Sequence, residues 1–178
     1  KTIINIEPKF SITVGELAEK IYSFHQERRS LNVERVGNGL CRALYATYLS
    51  FIPKEDFCYS IKMHSDERGD FVEMLKTFDS GQFSYFTANP GISRGGHFHN
   101  TKVEKFLVIN GQAEFNFQNL INGESILIKA EECQAKVVES IPGWVHSIKN
   151  VGQDKLIVLL WANEVFNQSS PDTYNFPI

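Results

Sequence analysis

The stretch GISRGGHFHNTKVEKFLVING, residues 91–111, gathers His97, His99 and Glu104 within eight residues, just ahead of an apolar run closing on Asn110-Gly111. His97 and His99 are two apart, so on an extended strand both imidazoles leave from one face. Gly95 and Gly96, immediately before them, let the backbone come in close. About forty residues further on, GWVHSIKN (143–150) supplies His146 inside another strand-like run, where a facing strand brings it to the first three. Taken singly, a strand histidine reads as a packed core residue and Glu104 as a solvated charge. Together, two or three imidazoles and one carboxylate form a nitrogen and oxygen set suited to Zn, Fe, Mn, Ni or Cu.

Outward from this stretch the chain keeps a strand rhythm. From Phe57 on, FCYSIKM, FVEMLKT, QFSYFTA, EKFLVIN, QAEFNFQ, ESILIK, AKVVES, VHSIKN and KLIVLLW are short runs rich in β-branched and aromatic residues. Gly, Asn, Asp or Pro separates them at roughly ten-residue intervals, the pattern of a sandwich or barrel. Ala113, Phe115 and Phe117 alternate with polar neighbours, as in a half-buried strand. Asn110-Gly111 is the strongest hairpin signal in the chain, and Asn122-Gly123 is a second. The first third has a helical period instead. Thr13 and Glu16 make a capping box, Leu17, Ile21 and Phe24 follow at helical spacing, and the helix is expected to reach about Arg29. A second helix is expected over Leu40–Ser50, stopped by Pro53. The expected organisation is a helical segment over residues 1–54 and a β domain over 55–178.

Composition removes several classes of function. The 178 residues are 42% hydrophobic and 22% charged, which fits a globular domain with a real core. A net charge of −3 without a basic stripe argues against nucleic acid as a partner. No apolar run approaches the roughly 20 residues that span a bilayer. The N-terminus lacks the features of a signal peptide. Cys41, Cys58 and Cys133, an odd and scattered set, read as reduced thiols of a cytoplasmic protein.

Gly91, His97, His99, Glu104 and Gly111 resemble the first cupin motif at every spacing, and Gly143, His146 and Asn150 resemble the second, with Pro142 displaced to the position beside Gly143. The resemblance implies a mainly β fold: a cupin jelly-roll, or double-stranded β-helix, barrel around a metal or substrate site.

Cupins host many activities, so further residues are needed. Asp66, Arg68, Gly69, Phe71 and Glu73 resemble a signature of epimerases acting on nucleotide-linked 4-keto-6-deoxyhexoses. RALYATYLSFIP and the tail WANEVFNQSSPDTYNFPI resemble segments of the bifunctional capsular-polysaccharide UDP-sugar 3-epimerase/4-reductase family of the UDP-N-acetyl-L-fucosamine pathway. That family joins an NADPH-using reductase domain to a zinc-binding cupin that epimerises C3 of a UDP-linked 2-acetamido-2,6-dideoxy-4-hexulose. This sequence carries no Gly-rich dinucleotide fingerprint after a strand, so it reads as the end of a reductase half plus a complete cupin, without hydride transfer of its own.

On this reading His97, His99, Glu104 and His146 hold the metal. Lys102, Lys105, Tyr85 and His64 are candidates for proton transfer by residue type and proximity in sequence. Arg68 and Arg94 are candidates for the diphosphate by bidentate hydrogen bonds, with Arg68 equally readable as a brace of the Asp66–Gly69 turn. Trp144 is placed at the barrel mouth, while the other aromatics fill the barrel. Two rivals stand beside the epimerase: a metal-dependent cupin oxygenase, and a non-catalytic sugar-binding or assembly module. A homodimer formed through edge strands is expected.

Overall fold

The computed structural model describes residues 6–176. The chain divides into two compact units, one ending at Ser60 and the other beginning at Ile61.

The first unit holds helices α1 (Val14–Ser30) and α2 (Gly39–Ser50), with a two-residue strand β1 (Asn32–Val33) between them. The expected capping box starts α1. The Glu16 amide donates to the Thr13 hydroxyl at 3.2 Å while the Thr13 amide donates to the Glu16 carboxylate at 2.9 Å. Two of the four orphan N–H groups of the helix start are thereby satisfied. Phe24 is buried and packs edge-on to Tyr45, with ring centroids 5.2 Å apart.

The second unit is built from strands: β2 (Met63–Asp66), β3 (Gly69–Thr77), β4 (Gln82–Ala88), β5 (Ser93–Phe98), β6 (Glu104–Asn110), β7 (Gln112–Asn119), β8 (Ser125–Glu131), β9 (Val137–Ser140), β10 (Trp144–Asn150), β11 (Leu156–Ala162) and β12 (Tyr174–Asn175). One sheet runs β2–β3–β4–β11–β6–β9 and the other β12–β5–β10–β7–β8, all pairings antiparallel. This is a jelly roll, and the core lies between its sheets. Phe86, Phe106, Phe115, Ile148, Leu156 and Val158 meet there from both sides. Each such side chain, fully buried, contributes about 1.5–3 kcal/mol. Among the described residues no helix is long and apolar enough to cross a membrane.

Two expectations from turn and strand signals need correction. Asn110-Gly111 does not close a hairpin: β6 pairs with β9 and β11, whereas β7 pairs with β8 and β10. The dipeptide turns a corner from one sheet to the other. Gly111, at φ +88°, takes the left-handed conformation the corner needs. Asn122-Gly123 does lie in a true hairpin, between β7 and β8. The run Phe57–Met63 is mostly not strand; pairing begins at Met63, opposite Val72. β2 and β3 instead form a hairpin around Glu67-Arg68, inside the epimerase-like signature.

Candidate metal centre

The four motif residues converge. One ligand atom from each of His97, His99, Glu104 and His146 lies within 4.8 Å of all the others. His97 is near the end of β5, and antiparallel pairing sets His146 of β10 directly across from it. Their ring centroids are 4.6 Å apart. A neighbouring strand therefore supplies His146, not a facing one. Glu104 is the residue that reaches across, since β6 belongs to the opposite sheet. The β5–β10 register breaks between His146 and Ser147, where Gly95 approaches the His146 backbone.

Glu104 Oε2 lies 3.1 Å from Nε2 of both His99 and His146. Donors about 2.0–2.1 Å from a shared tetrahedral ion would sit roughly 3.4 Å apart, so the spacing suits one small cation. His99 and His146 are buried to 1% and 2% exposure, and Glu104 to 7%. Burial alone would raise the Glu104 carboxyl. Hydrogen bonds from His146 and His99, and the charge of Lys102, more than offset it and hold Glu104 well below the usual carboxylate range. Burial, together with His146 nearby, pulls His97 down to about 4. At neutral pH the site thus offers a carboxylate and an uncharged His97 imidazole, the protonation states a divalent metal requires.

The orientation of the rings has two sources. His99 Nδ1 donates to the backbone carbonyl of Asp172, so that nitrogen keeps a proton and Nε2 is the ring atom turned toward Glu104, the one a metal would take in place of that contact. His146 Nδ1 is buried and makes no hydrogen bond among the described residues. That ring is held by packing against Phe106 and Phe117, with centroids 5.9 and 6.2 Å away. The residues fit a divalent cation by donor type, protonation state and spacing.

The centre lies in a cavity of about 520 Å³ lined by both sheets. His64 and Lys102 line it, as do Arg68 and Arg94. Lys102, 8% exposed, sets Nζ 3.5 Å from Glu104 Oε1. Arg94 donates from Nε to the Thr87 carbonyl at 2.8 Å and lies over the Phe86 ring. Arg68 forks onto Asp66 at 2.6 and 3.0 Å, bracing its own turn. Lys105, Tyr85 and Trp144 are not among the cavity residues. Strand alternation explains the first two. Glu104 and Phe106 point inward, so Lys105 points out, where it pairs with Glu139; Phe86 points inward, so Tyr85 points away. Trp144 packs against the core cluster instead. Asn150 of the second motif is a brace: fully buried, it donates to the carbonyls of Ala88 and Asp154, both at 2.8 Å. The cavity also contains Glu73 of the epimerase-like signature and Phe166, Thr173 and Asn175 of the tail, none of which the sequence singles out as a site residue. The last three follow β11, and residue type alone does not mark a C-terminal segment as a cavity wall.

The Asp66–Arg68 pair gives a pH prediction. Hydrogen bonds from the Arg68 side chain, then from its amide, hold Asp66 at about 2 against an ordinary 3.8. The folded value is depressed, so the stabilisation is present above about pH 4 and lost as pH falls toward 2. Urea midpoints measured from pH 5 to 2 are expected to fall more steeply for the native chain than for Asp66→Asn; parallel curves would refute it.

The family model described as "Polysaccharide biosynthesis C-terminal domain" matches residues 64–174, more than half the chain. The chain belongs to that family. It is 57% identical over 171 residues to the UDP-2-acetamido-2,6-beta-L-arabino-hexul-4-ose reductase of Pseudomonas aeruginosa, covering 96% of this chain and 46% of that protein. The crystal structure of the capsular polysaccharide assembling protein CapF from Staphylococcus aureus matches with a TM-score of 0.94 at 36% identity, covering 99% of this chain and 49% of that one. A more distant relative, the spore coat polysaccharide biosynthesis protein SpsL of Bacillus subtilis, is 23% identical over 124 residues, 64% of this chain and 82% of that protein. The chain spans about half the length of the first two. The family membership expected from Asp66–Glu73 and the tail is thus shown: this is the cupin of the capsular-polysaccharide epimerase/reductase family, matched nearly end to end.

Proposed function

We propose that the second unit epimerises C3 of a UDP-linked 2-acetamido-2,6-dideoxy-4-hexulose, with the metal centre as its core, in the making of capsular or related polysaccharide. The observation that carries this reading is the convergence of His97, His99, Glu104 and His146 on a cavity that also presents His64, Lys102 and Arg94. The Pseudomonas relative is named as a UDP-2-acetamido-2,6-beta-L-arabino-hexul-4-ose reductase, which supports a UDP-linked 2-acetamido 4-hexulose as the substrate class.

Inverting a carbon beside a ketone requires removing its proton, stabilising the negative charge that spreads onto the ketone oxygen, and returning a proton on the other face. A bound divalent cation, Zn2+ in the first instance, would supply the electrophilic stabilisation, which lowers such barriers by several kcal/mol. The chain itself supplies the rest. His64 and Lys102 are the two proton-transfer candidates that line the cavity, and of these Lys102 lies beside the metal ligand Glu104. Arg94, anchored on Thr87, and Arg68 present guanidinium groups for the diphosphate. NADPH belongs, on this reading, to a reductase domain outside these residues. Three cysteines without disulfide partners support a cytoplasmic setting. The edge strand β8, which exposes Ile126 and Leu127, supports a homodimer, read directly from solution mass.

The test is solvent deuterium wash-in. The Zn2+-loaded chain, given the 4-keto sugar nucleotide in D2O, is expected to place deuterium at C3, followed by NMR. Binding of the sugar nucleotide without wash-in would leave a non-catalytic module; oxygen uptake with bound iron would make it an oxygenase.

A further inference from the structure

The segment after β11 returns to the metal centre and lies along the stretch that carries it. β12 pairs with β5, setting Asn175 opposite His97 and Tyr174 opposite Phe98. Tyr174 stacks on Phe98 with centroids 5.2 Å apart, and the Phe176 amide donates to the Gly96 carbonyl at 2.8 Å. Just before this strand, Asp172 makes a denser set of contacts. Its carboxylate accepts from the amides of Asn100 at 2.9 Å, Thr101 at 2.7 Å and Lys102 at 2.9 Å, and from the Thr101 hydroxyl at 2.8 Å. Its backbone carbonyl accepts from His99 Nδ1. The next residue, Thr173, accepts from Lys102 Nζ at 3.1 Å, the same ammonium that faces Glu104 Oε1.

The loop from His99 to Glu104 carries two of the four ligands. Gly143 donates to the His99 carbonyl and Asn163 holds Val103 from both sides, while the amides between these two points need an acceptor of their own to fix the spacing. Three consecutive amides turned onto one carboxylate do fix it, as charge-assisted bonds roughly twice as strong as neutral ones. The same residue sets which nitrogen of His99 bears the proton. We infer that Asp172 is a positioning residue of the metal centre, and that seating of the 172–176 segment and binding of the metal are thermodynamically linked. The inference rests on the metal reading above. Linkage is reciprocal: a segment that orders the ligands is itself held in place when the ligands are occupied.

The experiment uses the chain as it stands, with Zn2+ titrated by calorimetry, Co2+ as a spectroscopic substitute, and hydrogen exchange followed with and without metal. Asp172→Ala keeps the backbone carbonyl that His99 Nδ1 bonds but removes the carboxylate that gathers the three amides. It is expected to lose Zn2+ affinity about tenfold, the low end of the range for groups that orient metal ligands from outside. The Asp172→Ala variant should also shift the visible Co2+ bands and lose protection at Asn100–Lys102. Asp172→Asn keeps one acceptor oxygen and is expected to fall between, which keeps the test usable if the alanine variant does not fold. In the native chain, Zn2+ should slow exchange across 172–176. Native affinity and an unshifted Co2+ spectrum in both variants would overturn the inference and leave the metal centre standing. A native chain that takes up neither ion would remove the metal reading, and this inference with it.

Discussion

Replacing His146 by alanine is expected to abolish both metal uptake and deuterium wash-in at C3 while leaving the barrel folded. The ring is 2% exposed and sits across from His97 on the adjoining strand, so its loss removes one donor from the centre of the constellation. It also takes from Glu104 Oε2 one of its two imidazole contacts, and with it part of what holds that carboxyl ionised. Loss of an outer partner costs about 10–100-fold in metal affinity, and loss of a direct donor should exceed that. Stripping the native chain with a chelator is expected to have the same effect on wash-in, reversed by Zn2+. The two measurements separate roles. If the stripped protein still exchanges C3 at the native rate, the metal is structural and proton transfer by the chain's own groups suffices. Near-UV circular dichroism of His146→Ala checks that packing around Phe106 and Phe117 has survived.

This constellation was legible in the sequence because its parts obey local rules. Two histidines at i and i+2 share a strand face whatever the fold, and the spacing to Glu104 and Gly111 carries the cupin pattern. The capping box at Thr13 and the strand alternation of Ala113, Phe115 and Phe117 are local in the same sense. What failed depended on partners. Asn110-Gly111 encodes a reversal and a positive φ, but nothing in a dipeptide says which sheet the next strand joins. Proximity in sequence points to Lys105 and Tyr85; alternation, once Glu104 and Phe86 face inward, turns both away. Asp172 lies 70–72 residues from the amides it gathers, and an aspartate after a proline in a tail gives no hint of them. Short-range pattern fixed the donors, whereas long-range closure fixed what holds them.

Gly95→Ala is expected to damage the centre without touching any ligand, and Gly91→Ala is its control. Both glycines have positive φ, +96° and +77°, a backbone conformation that costs a side-chain-bearing residue about 1–3 kcal/mol. Strain alone would make the two variants alike. Their surroundings differ. A Cβ at Gly91 meets nothing within 4 Å, but one at Gly95 would lie 2.7 Å from the His146 carbonyl oxygen and 3.0 Å from Ser147 Cα. Both are backbone atoms and cannot swing aside, so β5 and β10 must part where His97 faces His146. Gly91→Ala should therefore lose stability in the strain range and bind Zn2+ as the native chain does. The Gly95→Ala variant should lose more stability than that and bind Zn2+ far more weakly. Thermal unfolding of both metal-free variants, beside Zn2+ titrations, reads the two effects separately. Equal Zn2+ affinities for the two would mean that the close contact of β5 with β10 does not set the distance between their histidines.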